Sequence, residues 1–111
     1  MAVDYLIDLL YEKKQRNEKM REVARIILTE CRAKNGKAVK ELIKICQERF
    51  GKYTGRILFY KVVNRLKKLK IVEVRYFLNL KTGKRYKVVA LTPNIFERKI
   101  ESVLFFLKDF Q

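Results

Sequence analysis

The sequence predicts an α+β domain: four helices, a β-hairpin and a final helix. Three observations carry this. Apolar residues recur at spacings of three and four through most of the chain. The period drops to two after Lys70 and reverts after Thr92-Pro93. The single Pro and the four Gly all fall at expected element boundaries. At 111 residues the chain holds one domain, residues 1–111, with a single core. A hydrophobic content of 49% argues against disorder.

Taken in order, residues 3–15 read as an amphipathic helix. Val3, Leu6, Ile7 and Leu10 form its stripe; Asp4 and Asp8 come early and Lys13, Lys14 and Arg16 late, the order a helix dipole favours. Asn17 is placed to cap a second helix, from Glu18 to about Lys34, striped by Met20, Val23, Ala24, Ile27, Leu28 and Cys31 and ended by Asn35-Gly36. A third helix, 38–50, repeats Val39, Leu42, Ile43, Cys46 and Phe50 and stops at Gly51. The link Gly51-Lys52-Tyr53 is short, so the fourth helix, with Thr54 as its expected N-cap, must lie beside the third.

That fourth helix, 54–69, carries the most information. Leu58, Phe59, Val62, Val63, Leu66 and Leu69 share one face; Ile57, Tyr60, Lys61, Asn64 and Lys68 share the other, with Arg56, Arg65 and Lys67 at its margins. Seven basic residues and no acidic one lie between Lys52 and Lys70. Solubility needs no such single-signed face, because mixed Glu/Lys pairs serve equally well. Two helices joined by a tight turn, the second basic outside, form a helix-turn-helix pattern.

Beyond Lys70, Val72, Val74, Tyr76 and Leu78 alternate with Glu73, Arg75, Phe77 and Asn79, and a second strand runs from Arg85 to Leu91. Residues 80–84 suit a hairpin turn with Gly83 in the left-handed region, giving a basic tip of Lys81, Lys84 and Arg85. Thr92 and Pro93 start the last helix, 93–109, whose seam is Phe96, Ile100, Val103, Leu107 and Phe110. So apolar a helix needs cover. Two arrangements provide it: homodimerisation through residues 93–110 together with the first helix, chiefly Leu6 and Leu10, or packing of the two terminal helices within one chain.

Charge bounds the function. Lys plus Arg number 27 against 12 Asp plus Glu, a formal net charge of +15. Such self-repulsion implies an anionic partner: double-stranded DNA first, RNA not excluded, then an anionic membrane surface. No apolar run approaches the length of a membrane span, and the acidic start of the chain is unlike a secretory leader, so a cytoplasmic, nucleoid-associated setting is expected. Cys31 and Cys46 lie on apolar stripes and read as buried thiols; a disulfide between them stays open. With no His and two Cys, neither a metal nor another cofactor is expected. Catalysis finds no support: no nucleophile flanked by a base, no carboxylate pair, no phosphate-binding Gly loop. Lys81-Thr82-Gly83 is explained as a turn.

The run Tyr60-Lys-Val-Val63-Asn-Arg-Leu66-Lys-Lys-Leu-Lys70-Ile71-Val72-Glu73 resembles the recognition helix and following strand of winged helix-turn-helix regulators of the PadR and MarR kind. Tyr60, Val63, Leu66, Ile71 and Val72 match that pattern; Lys70 stands where those families usually carry Gly. The similarity covers about residues 18–92, and the chain's charge is similar to that of small winged-helix proteins of archaea and their viruses. The resemblance implies that helix 54–69 lies in the DNA major groove, that the 81–85 tip touches the flanking backbone or minor groove, and that paired protomers present two such helices to successive grooves. Thr54, Arg56, Ile57, Tyr60, Lys61, Asn64, Arg65, Lys68, Lys81, Lys84 and Arg85 are the expected DNA contacts. Asn64 suits adenine, or is merely solvated; Ile57 meets a thymine methyl or folds back on the hairpin. Arg56, Lys61, Arg65 and Lys68 suit phosphate. Lys37 and Lys40 are further phosphate candidates. A dimeric transcriptional regulator, a non-specific nucleoid, replication or partition protein, and an RNA- or ribosome-associated module all remain open.

Overall fold

Asp4 and Asp8 stand one turn apart and meet Arg25 and Arg21, respectively, in reverse order. That pattern requires two antiparallel helices, and the computed structural model, which describes residues 2–32 and 36–92, has them: α1, Ala2–Leu10, and α2, Glu18–Glu30. The protein is an α+β fold of four α-helices and a three-stranded antiparallel sheet among the described residues. After α2 come β1, Lys37–Ala38; α3, Val39–Phe50; α4, Lys52–Lys68; β2, Val72–Leu78; and β3, Arg85–Leu91.

Several boundaries differ from those the sequence suggests. The first helix ends at Leu10, not residue 15, because the chain must turn for α2 to fold back. Arg21 Nη1 donates to the Tyr11 carbonyl at 2.6 Å, and a short 3-10 turn, Gln15–Asn17, leads into α2. Lys13, Lys14 and Arg16 therefore lie beyond the helix. Asn17 holds the N-cap position without capping: its amide donates to the Glu12 carbonyl at 3.0 Å, bracing the turn instead. α2 ends at Glu30 rather than near Lys34. Gly36, expected to stop that helix, sits instead against β3, where a Cβ would lie 2.9 Å from Ala90 Cα. β1, which two residues without alternation could not announce, pairs Lys37 with Val89 and Ala38 with Val88.

The junction of α3 and α4 is tighter than expected. Gly51 (φ 98°) alone separates the helices, so α4 starts at Lys52 and Thr54 is its third residue, not its cap. Gly55 is accordingly no boundary glycine. It lies inside α4 where the two helices cross, and a Cβ there would stand 2.5 Å from the Cys46 carbonyl carbon and 2.6 Å from Gln47 Cα. The absence of a side chain is what allows this approach.

α4 ends in a Schellman arrangement. The Ile71 amide reaches back to the Leu66 carbonyl at 2.9 Å, and that of Lys70 to Lys67 at 3.0 Å, while Leu66 and Ile71 are both buried. The motif needs a left-handed residue, and Lys70 supplies it with φ 60°. Lysine thus adopts a backbone geometry that glycine takes at lower cost. Thr92 fixes the corner from the far strand: its amide donates to the Ile71 carbonyl at 3.0 Å and its hydroxyl to that of Lys70 at 2.7 Å.

β3 is central, in the order β1-β3-β2. Val72 and Val74 pair with Leu91 and Val89 and face the core at the base of the hairpin. Further out, Tyr76, Leu78, Arg85, Tyr86 and Lys87 are exposed, so the outer half of the hairpin runs clear of the core. The core itself gathers the apolar faces of all four helices: Leu6, Ile7, Ile27, Leu28, Leu42, Phe59, Leu66 and Ile71 are fully buried. Leu6 and Leu10, expected to pair protomers, are in this core, and their side chains are not available to a second chain. The last helix, with Phe96, Ile100, Val103, Leu107 and Phe110, lies outside the described residues.

Cys31 and Cys46 are buried and free. Burial pushes the Cys31 thiol up to about 12 and that of Cys46 up to about 11.

Two backbone substitutions should move stability in opposite directions. Lys70→Gly removes the left-handed strain and should stabilise by roughly 0.5–1 kcal/mol after the entropic cost of glycine. Gly55→Ala should destabilise by roughly 1–2 kcal/mol, because the overpacking exceeds the helix-propensity gain. Urea unfolding of both variants checks this. The thiols predict the alkaline side. In the folded chain they keep their protons past the ordinary value of 9.0. Their contribution is therefore full below that value and is lost as pH rises towards about 12. The urea midpoint should fall as pH rises from about 9 to about 11, and fall less in a Cys31→Ala, Cys46→Ala double variant.

Candidate nucleic-acid interface

α4 has one face in the core and one in water, and the division follows its sequence. Phe59, Val62, Val63 and Leu66 are buried, with Leu58 and Leu69 partly so. Thr54, Arg56, Ile57, Tyr60, Lys61, Asn64, Arg65, Lys67 and Lys68 are exposed. Ile57 does not fold back on the hairpin; it is 53% exposed, an unusual state for isoleucine in mid-helix. Tyr60 stands edge-on to the buried Phe59 ring at 5.2 Å, and Arg56 lies over its face at 5.8 Å. The phenol is held outward between an aromatic anchor and a cation.

Charge separates across the molecule. Five acids of the first three helices meet cations close by: Asp4 with Arg25, Asp8 with Arg21, Glu22 with Arg49, and Glu30 and Glu41 with Lys37. The Arg21 guanidinium, hydrogen-bonded to Asp8, holds that carboxyl below its ordinary range. Such exposed pairs add little stability, but they neutralise one side of the molecule. From Gly51 to Thr92 the chain has twelve basic residues and a single acid, Glu73, which Arg75 engages. Among the described residues, no cation of α4 has an acidic partner within 4.0 Å. Lys37, a candidate phosphate contact by sequence, is engaged by Glu30 and Glu41 at 3.5 and 3.7 Å and belongs to the neutralised side.

Grooves flank α4 on both sides. One lies between α3 and the hairpin, lined by Lys40, Lys44 and Gln47 of α3, Arg56 of α4, and Tyr86 and Lys87 of β3, over Val39 and Ile43. Among the described residues it holds four cations and no acid. The second lies between the α1–α2 connection and the C-terminal half of α4, where Arg16 faces Lys61, Asn64, Arg65 and Lys68 across Leu10, Met20 and Leu69; its one acid among the described residues, Glu12, is paired with Lys14. Arg65 sits over the Tyr11 ring at 4.8 Å, which fixes that guanidinium against the core. Burial raises the pKa of the Tyr11 hydroxyl, and the Arg65 charge opposes the shift. A third hollow, at the start of α4, is lined by Gln47, Lys52, Tyr53, Arg56, Ile57 and Tyr60. Lys44, Lys87, Tyr53 and Arg16 were not among the residues expected from sequence. Lys44 follows Lys40 by one helical turn and was legible; the others needed the packing.

The hairpin turn is built on Asn79. Its side-chain oxygen accepts the Lys81 amide at 2.9 Å and that of Thr82 at 3.4 Å, and its carbonyl accepts Gly83 at 2.7 Å. Gly83 takes the left-handed conformation, φ 70°, as its sequence setting requires. Lys81, Lys84 and Arg85 are exposed around this turn. Phe77 and Tyr86 stack across the strands at 5.8 Å and stiffen the stalk.

Among the described residues no group of three His, Cys, Asp or Glu side chains could hold a metal ion, and no helix is long and apolar enough to cross a membrane. No protein-family model, curated protein or solved structure matches this chain.

Proposed function

We propose that this chain is a winged helix-turn-helix protein that binds double-stranded DNA, with α3 and α4 as the helix-turn-helix, α4 in the major groove and the β2–β3 hairpin as the wing. The observation that carries this reading is the outer face of α4: exposed, cationic along its length, without an ion-paired acid among the described residues, and backed by a buried apolar face that holds the helix firm. A rigid rod of about 10–12 Å diameter suits a groove of about 12 Å. The two basic grooves on either side of it are placed for the phosphate strands that border the major groove.

Roles divide along the surface. Ile57, Tyr60 and Asn64, on the centre line of α4, reach base edges; Arg56, Lys61, Arg65 and Lys68 take phosphates, joined by Lys40, Lys44 and Lys87. Lys81, Lys84 and Arg85 hold the backbone beside the wing. Pairing of two protomers falls to Phe96, Ile100, Val103, Leu107 and Phe110. The proposed regulator then binds two half-sites about one helical turn apart.

Anisotropy titrations against random duplex, single-stranded DNA and structured RNA, at two salt concentrations, test this. Duplex should bind tightest, with a steep salt dependence. After binding-site selection, Asn64→Ala should relax the sequence preference, and Lys84→Ala should weaken all duplexes alike. Tighter binding of RNA, or identical effects of the two substitutions, would contradict these roles. A steep salt slope with no selected sequence would mark a non-specific coating protein instead.

A further inference from the structure

The tip of the hairpin carries a residue that a solvated turn has no use for. Leu80 is 90% exposed, and it stands at the head of an apolar strip that continues through Leu78, 54% exposed, and Tyr76. Turn positions of this kind ordinarily hold Gly, Asn, Asp or Ser. The surroundings of Leu80 are cationic: Lys81 and Lys84 lie in the same turn, and Arg85 pairs with Leu78 across the strands. The turn is also rigid, because Asn79 Oδ1 receives the amides of Lys81 and Thr82 while Lys84 N–H donates to Thr82 Oγ1 at 3.3 Å.

Position adds the second argument. Tyr86 and Lys87 share a groove with Arg56, so the outer half of the hairpin rises beside the first turns of α4. From Lys87 to the turn at Gly83 the hairpin extends by up to roughly 13 Å, enough to step across one phosphate strand from the major groove into the neighbouring minor groove. There a rigid apolar side chain flanked by cations has a defined use: it wedges between stacked base pairs and kinks the duplex, while the cations hold the phosphates on either side.

We propose that Leu80 is a minor-groove wedge, so that this protein bends the duplex it binds. The proposal rests on the duplex-binding reading above and adds to it a deformation and a sequence preference. Steps that unstack readily, TA and CA/TG, are favoured under the tip although no hydrogen bond reads them. A membrane surface fits the same tip less well. A single leucine and its neighbours bury little in lipid, and the cations extend far from the tip along α4.

The test uses the full chain and a duplex of roughly 30 base pairs with TA steps, end-labelled for energy transfer and carrying 2-aminopurine at one step. The variants are Leu80→Ala and Leu80→Gln, which leave Asn79 and Gly83 in place, with Lys84→Ala as the electrostatic control. The wild-type chain should raise transfer efficiency and brighten 2-aminopurine severalfold. Both Leu80 variants should lose these signals while keeping random-duplex affinity within about threefold and the same salt slope. Lys84→Ala should do the reverse, weakening binding but bending the DNA it holds. Duplex binding with no distortion, or distortion unchanged in Leu80→Ala, overturns the wedge and leaves the binding reading intact. No duplex binding at all overturns both. Leu80-dependent binding to phosphatidylglycerol vesicles without DNA distortion assigns the tip to lipid and overturns the wedge.

Discussion

The close crossing of α3 and α4 at Gly55 governs the rest of the structure. With no side chain there, α4 lies directly on the Cys46–Gln47 backbone. Phe59, Val62, Val63 and Leu66 then have one way to face, into the core. Once they are buried, the 3.6-residue period puts Arg56, Tyr60, Lys61, Asn64 and Lys68 in water. The far end is fixed as firmly, by the Schellman bonds at Lys70 and Ile71 and by the two bonds from Thr92. Both ends of the helix are thus set by backbone geometry, and its basic face is a consequence of packing that no charge had to arrange.

Electrostatics are arranged around this scaffold in two zones. α1, α2 and the start of α3 carry acids, most of them matched with arginine or lysine, and the Asp4–Arg25 and Asp8–Arg21 pairs join α1 to α2. α4 and the hairpin carry almost none. Concentrating the excess charge on one surface keeps the self-repulsion of a +15 chain away from most of the core, and it places that repulsion where an anionic partner would relieve it. Tyr11 links the zones: it directly follows α1, is buried, and its ring receives Arg65. The α1–α2 connection therefore acts as a buttress for the C-terminal half of α4 as well as a link.

Much of this was legible in the sequence because it was written as periodicity. The four helical stripes, the change of period at Lys70, the left-handed glycine at position 83 and the two faces of the fourth helix follow from spacing alone. What escaped was set by contacts between distant residues. Nothing local distinguishes Gly55 from a boundary glycine; its role depends on the backbone of Cys46. β1 is two residues long and exists because β3 has an unpaired edge there. The first helix stops at Leu10 because Arg21, ten residues on, takes the Tyr11 carbonyl. Leu6 and Leu10 looked suited to a second chain because a stripe says that a face is covered, but not by what. Lys37 looked free because its partners, Glu30 and Glu41, lie on either side of a turn. In the candidate interface, residues named from helical phase came out exposed, while those missed, Lys87 and Arg16 among them, come from other elements brought alongside.

Mapping amide chemical shifts of the isotopically labelled chain during titration with a short random duplex tests the central claim most directly. The account predicts perturbations concentrated at the outer positions of α4, from Tyr53 to Lys68, with a second cluster from Leu80 to Lys87, and little change on the outer face of α1 and α2. Shifts confined to the Asp4–Arg25 side, or a spectrum unmoved by duplex at low salt, would contradict it.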